Sequence, residues 1–85
     1  MTANFQELTK YLKVKNQGNN RIRLSFDEIE RLIGCPLPTQ ALEYRTWWVN
    51  NKSEKNPQAE GWMNAGFMVV TVNFKERWVE FLKIG

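Results

Sequence analysis

Arg21-Ile22-Arg23-Leu24-Ser25-Phe26-Asp27-Glu28-Ile29-Glu30-Arg31-Leu32-Ile33-Gly34 changes its periodicity halfway, and that change decides the fold class. From Arg21 to Phe26, apolar and polar residues alternate. Ile22, Leu24 and Phe26 point one way and Arg21, Arg23 and Ser25 the other, the pattern of a short half-buried strand. From Ser25 the period becomes helical. Ser25 and Glu28 have the spacing of a capping box, and Ile29, Leu32 and Ile33 form one apolar face. Asp27, Glu28 and Glu30 occupy the first turn, where the helix dipole favours acids. Gly34 suits the left-handed residue that ends a helix, and Pro36 and Pro38 prevent continuation.

Upstream, Asn4 and Glu7 resemble a second capping box. Phe5, Leu8 and Leu12, with Tyr11 beside them, mark a helix face. Lys10, Lys13 and Lys15 suit its C-terminal end, and Asn16-Gln17-Gly18-Asn19-Asn20 turns the chain. Downstream, Thr39 is expected to cap a third helix through Ala41 and Leu42 towards Arg45. Residues 45–49 have the composition of extended chain, and 50–56 that of an exposed loop. Asn56 and Pro57 suit the N-cap and first position of a fourth helix, with Ala59, Trp62 and Met63 on one flank and Gly66 as its stop. Trp62 is expected in the core. Phe67 to Phe74 and Trp78 to Ile84 are strands, joined as a hairpin through Lys75-Glu76-Arg77.

This order predicts one α+β domain spanning residues 1–85. Helices would pack on a small antiparallel sheet of about three strands with a C-terminal hairpin. Helix–strand–helix–helix–strand–strand is winged-helix-like. A generic α+β arrangement of the same elements is the alternative.

Composition narrows the function classes. The 85 residues are 42 % apolar and 25 % charged, which is globular. Eleven aromatics, four of them Trp, compensate for a small core. No apolar run has the roughly 18 residues that a membrane helix needs. The first 25 residues lack a signal peptide's apolar block, so the expected location is cytoplasmic. One cysteine forms no internal disulfide, and the absence of histidine removes imidazole catalysis and the common zinc sites. No metal or cofactor is expected. Net charge is +3, distributed as +4 over residues 1–25, −3 over 26–43 and +2 over 44–85. Such a contrast suits docking on a polyanion or on a charged protein.

The most unusual cluster is Arg45-Thr46-Trp47-Trp48-Val49-Asn50-Asn51-Lys52. Its guanidinium, indoles, amides and ammonium can stack bases and hold phosphates; adjacent Trps are also common as core and lid. Gln58 and Asn64 flank the fourth helix, where Gln and Asn can read adenine; solvated surface is the alternative. Lys75 and Arg77 at the hairpin tip suit a wing on phosphate, or plain solubility. Arg21 and Arg23 share the outward strand face, for a phosphate or for Glu80 across the sheet. Tyr11 and Tyr44 are expected to pack with wet hydroxyls. Asp27, Glu28 and Glu30 are accounted for by the helix start, there is no Gly-rich phosphate loop, and Cys35 has no activating His.

Ile33-Gly34 with Leu37-Pro38, Arg45 with Trp47-Trp48 and Asn50, and Gln58-Ala59 with Trp62 and Ala65-Gly66 together resemble a family of small bacterial and phage-associated domains of unknown function. Its pattern is I-G-x-x-L-P, R-x-W-W-x-N and Q-A-x-x-W-x-x-A-G, and the likeness covers about residues 22–82. The resemblance implies a common fold, with Arg45, Trp47, Trp48, Asn50, Gln58 and Trp62 at family positions, and no activity. The element order, the basic first quarter and the Arg45–Lys52 cluster make the expected function a non-enzymatic nucleic-acid-binding domain, with DNA the expected ligand. The alternative is a protein-interaction module, such as a phage or host-defence regulator. An indole beside Arg or Lys in a groove would favour nucleic acid; an apolar patch away from the basic residues would favour protein.

Overall fold

Strand β1 (Arg21–Ser25) runs straight into helix α2 (Phe26–Ile33), as the change of period requires. The computed structural model describes residues 3–16, 18 and 20–84. The capping box at the junction is complete: the Glu28 N–H donates to Ser25 Oγ and the Ser25 N–H to Glu28 Oε1, each at 3.0 Å. Gly34 ends α2 with φ at +80°, a conformation that costs an L side chain about 1–2 kcal/mol. Helix α1 (Phe5–Lys15) buries Leu8 and Leu12. Its expected capping box is only half formed. Asn4 Oδ1 accepts from the Gln6 N–H, while the Asn4 N–H donates to the Ile33 carbonyl at 2.9 Å, tying the start of α1 to the end of α2. Glu7 pairs instead with Lys10. Of the turn expected at 16–20, Gln17 and Asn19 lie outside the described residues; Gly18 has φ at +86°.

The C-terminal hairpin is β2 (Phe67–Asn73) and β3 (Trp78–Lys83). The sheet is antiparallel in the order β1-β3-β2. This is the expected α+β arrangement, with helices packed on a three-stranded sheet. Register sets the inner face: Ile22, Leu24, Phe67, Val69, Val79 and Phe81 are buried and meet Leu8, Leu12, Phe26, Ile29 and Ile33 from the helices. The pairing of β2 with β3 skips Val70, leaving a bulge after Val69.

The segment between α2 and β2 departs most from expectation. Helix α3 covers Thr39–Glu43, with Pro38 rather than Thr39 at its cap position and no side-chain cap bond. Residues expected to be extended form a 3₁₀ turn, Arg45–Trp48. A second 3₁₀ turn, Pro57–Ala59, leads into a single helical turn, α4 (Glu60–Met63). Asn56 does not cap it; its amide donates to Ser53 Oγ. Packing overrides propensity here. Trp48 enters the core, stacked on Phe26 at 5.7 Å between ring centroids and on Trp62 at 5.8 Å, and Trp62 contacts Phe81 at 6.0 Å. A short helical turn, not a strand, puts Trp48 inward and Trp47 beside it.

Buried indoles need partners for their N–H groups. Trp48 Nε1 donates to the Ala41 carbonyl and Trp62 Nε1 to Asn50 Oδ1, both at 2.9 Å. Asn50 also pairs with the edge of β2: its Oδ1 accepts from the Val69 N–H at 2.8 Å and its Nδ2 donates to the Val69 carbonyl at 2.9 Å. Against α1, α4 comes so close that a Cβ on Gly61 would lie 3.2 Å from Leu8 Cδ2 and 3.3 Å from Phe5 Cβ. Thr9 Oγ1 donates to the Gly61 carbonyl there at 2.8 Å.

Two stability predictions follow from this packing. Trp62→Ala removes a fully buried indole and is expected to cost about 3–5 kcal/mol, against no more than about 0.5 kcal/mol for exposed Lys75→Ala; denaturant midpoints of both variants beside the parent measure the contrast. Asn50→Ala strands the Trp62 indole N–H and the Val69 N–H and carbonyl, at about 1–3 kcal/mol for a stranded buried group. A total loss of about 3 kcal/mol at unchanged denaturant slope is expected; a loss below about 1 kcal/mol would show that water replaces the amide.

Candidate functional site

A 3₁₀ turn closes few internal hydrogen bonds, so side chains must supply the rest, and the cluster around Trp47-Trp48 does so. Arg45 Nη1 donates to the Trp48 carbonyl at 3.2 Å. Gln58 is only 6 % exposed, and its Nε2 donates to the Trp47 carbonyl at 2.9 Å. Asn50 is committed to Val69 and Trp62. The Asn50 amide is thus spent on the β2 edge and the Trp62 indole, and Gln58 Nε2 on the Trp47 carbonyl, which leaves Gln58 Oε1 without a partner among the described residues. Lys52 and Asn64 remain exposed and bond to each other, Nζ to Oδ1, at 3.1 Å.

The outer side of the same segment is a cleft of about 320 Å³, lined by Gln40, Tyr44, Thr46, Trp47, Lys55 and Gln58 among others. Tyr44 is 57 % exposed, contrary to its expected packing role. Three residues after Ala41 it would share that buried face in a continuous helix. The helix ends at Glu43, however, and Tyr44 is extended, at φ −122° and ψ 127°, so its ring leaves the face. Trp47 is half-buried, its ring 4.6 Å from Trp48 and 6.3 Å from Phe5 by centroid. Lys55 is the one charged side chain of the lining. The cleft thus joins two aromatic side chains, a pinned amide and an ammonium. From the expected site it gathers Trp47 and Gln58. Tyr44 and Lys55 were missed; the only signal for Tyr44 was a helix too short to keep it inward, and for Lys55 none beyond its place in a polar loop.

The other expected site residues lie elsewhere. Arg21 and Arg23 are on the outer sheet face, where Glu80 accepts from Arg21 Nη1 at 2.6 Å and from Arg23 Nη2 at 3.4 Å. The Arg23 guanidinium also covers the Trp78 ring, 3.7 Å from its centroid. At the hairpin tip Lys75 is exposed, while Arg77 is built into the turn. It has φ at +63°, its N–H donates to the Asn73 carbonyl, its carbonyl accepts from the Phe26 N–H, and its guanidinium lies 5.6 Å from the Phe26 ring centroid. The seven residues of β2 separate Lys52 and Asn64 from this tip by roughly 20 Å. A larger hollow of about 530 Å³ lies between the start of α1 and α4, but its only charged lining residue is Glu60. Among the described residues no group of three or more Cys, Asp or Glu is placed to hold a metal ion, and no helix is long and apolar enough to cross a membrane.

No curated protein and no solved structure matches the chain. A family model described as a domain of unknown function (DUF7662) matches residues 5–84 and so takes in every element from α1 to β3. The matched span includes Gly34, which ends α2, Arg45 and Gln58, which staple the first 3₁₀ turn, and Trp48 and Trp62, which fill the core. The chain belongs to the DUF7662 family of domains of unknown function.

Proposed function

We propose that this domain is a non-enzymatic nucleic-acid-binding module, with DNA the first ligand to test. The observation that carries the reading is the company kept by Trp47. Trp48 and Trp62 are buried and Arg23 covers the ring of Trp78, whereas Trp47, partly exposed, shares its cleft with Lys55. An indole beside a cation offers a base a stacking surface and a phosphate a charge. A protein-docking surface would instead be expected to offer an apolar patch apart from the basic residues.

The architecture supports the same reading. A helix, a strand, helices and a hairpin, with strand order β1-β3-β2, suit a winged-helix-like plan, in which Lys75 and Arg77 at the hairpin tip would be the wing's phosphate contacts. The segment ahead of β2 is only a 3₁₀ turn and one helical turn, and it presents Glu60 and Asn64 to solvent. That is too short to read a run of base edges along a major groove. Binding therefore rests on the cleft and on phosphate contacts by Lys52 and Lys55, with Arg21 and Arg23 adding to the positive field. The lining of the cleft includes no carboxylate or thiol, which suits binding rather than hydrolysis.

The test is a salt titration with a pool of single- and double-stranded DNA oligonucleotides of mixed sequence. Binding is expected at about 50 mM salt and should weaken steeply towards about 200 mM, as counterion release requires. Lys55→Ala should weaken binding across sequences and reduce the salt slope by about one. No binding to either form of DNA at about 50 mM salt would overturn the reading.

A further inference from the structure

We infer that the cleft beside Trp47 takes a single unpaired nucleobase, so that the nucleic acid recognised is single-stranded or carries an extruded base. This rests on the nucleic-acid reading above and adds the strandedness of the partner and the place of contact. Three features carry it. First, the volume of about 320 Å³ is at the lower end of small-ligand pockets, roughly 300–1,000 Å³. It suits one nucleotide, not a stack of them.

Second, the walls are aromatic. Tyr44 is 57 % exposed and bonds to no other side chain among the described residues, and Trp47 lines the cleft from the core side. A ring stacks on the face of a base. Inside a duplex both faces of every base are covered by its neighbours, so only an unpaired, extruded or terminal base can offer one.

Third, the floor is a polar group held in one orientation. Gln58 is buried to 6 % exposure, and donation from Nε2 to the Trp47 carbonyl sets which way its amide faces. Its Oε1 accepts nothing from the described residues and is not sealed from solvent. It therefore offers an acceptor to a ligand N–H. Imino and amino N–H groups are what the Watson–Crick edges of bases supply, and pairing in a duplex consumes them. Lys55 at the same cleft is the charge for the adjoining phosphate. The other exposed indole is not equivalent, because the guanidinium of Arg23 already covers the ring of Trp78.

The test uses the full chain and fluorescence anisotropy at about 50 mM salt, with labelled oligo(dA) and its long duplex with oligo(dT). Single-stranded oligo(dA) is expected to bind at least about tenfold more tightly than the duplex. Tyr44→Ala should weaken single-strand binding by about 5- to 160-fold, the range for removal of one base-stacking aromatic. Tyr44→Phe, which keeps the ring, should restore it, and Val14→Ala, at an exposed position of α1, should leave binding unchanged. Thermal unfolding of each variant confirms that this exposed position leaves the fold intact. Duplex binding equal to or tighter than single-strand binding, with Tyr44→Ala neutral, would overturn the inference and leave the nucleic-acid reading standing. Binding of neither DNA would overturn both.

Discussion

The side-chain amide of Asn50 pairs with the N–H and carbonyl of Val69 much as a residue of a neighbouring strand would, and its oxygen also takes the indole N–H of Trp62. Three segments meet at that one side chain: the irregular chain after α3, the helical turn α4 and the edge of β2. The requirement behind it is general, since a buried donor or acceptor without a partner costs more than a typical hydrogen bond returns. Between Tyr44 and Ala59 the backbone forms two 3₁₀ turns and a loop, which leave many such groups to be satisfied. Gln58 and Arg45 satisfy two of them, the Trp47 and Trp48 carbonyls, with their side chains, and Trp48 ties its own indole to Ala41. Remove the Asn50 amide and the aromatic column of Phe26, Trp48, Trp62 and Phe81 loses its polar anchor along with part of the sheet edge.

That economy also shapes the exterior. Because Trp48 is drawn inward and Gln58 is pinned beneath Trp47, the outer surface of the same turn is left concave and lined with rings and amides. The support of the fold and the candidate ligand surface are two sides of one segment. A substitution at Gln58 therefore acts on both at once, whereas one at Tyr44 or Lys55 acts on the outer side alone.

The regular elements were legible because their signals are local. Alternation over residues 21–26, a complete Ser25–Glu28 cap, the left-handed Gly34 and the two β-rich runs each depend on neighbours in the chain. The half-formed cap at Asn4 was not legible, because its backbone N–H goes to Ile33, about thirty residues away in sequence. Residues 45–49 misled for a related reason. Tyr44, Thr46, Trp47 and Val49 have strand propensity, but the depth of the core at Trp48 selects a tight turn. The polar residues of the motif were visible as unusual, and their direction was not: whether an amide faces a ligand or a distant carbonyl depends on contacts across the fold. The pairing of Arg21 and Arg23 with Glu80 was legible as one of two readings and is present, since register places Arg23 opposite it.

The bulge at Val70 and the amide on Val69 also bear on how copies of this chain meet one another. A three-stranded sheet has two edges, and open edges are templates for pairing with further chains. Here β2 is an edge whose Val69 groups are already occupied, and whose line is broken by the residue that follows. Pairing along β2 is thereby interrupted at its middle. An association that uses one edge of each copy joins like to like and closes on itself after two, whereas polymers need two complementary edges. The asparagine side chain and the bulge together leave β2 a poor template for the continuous edge pairing that a fibre needs.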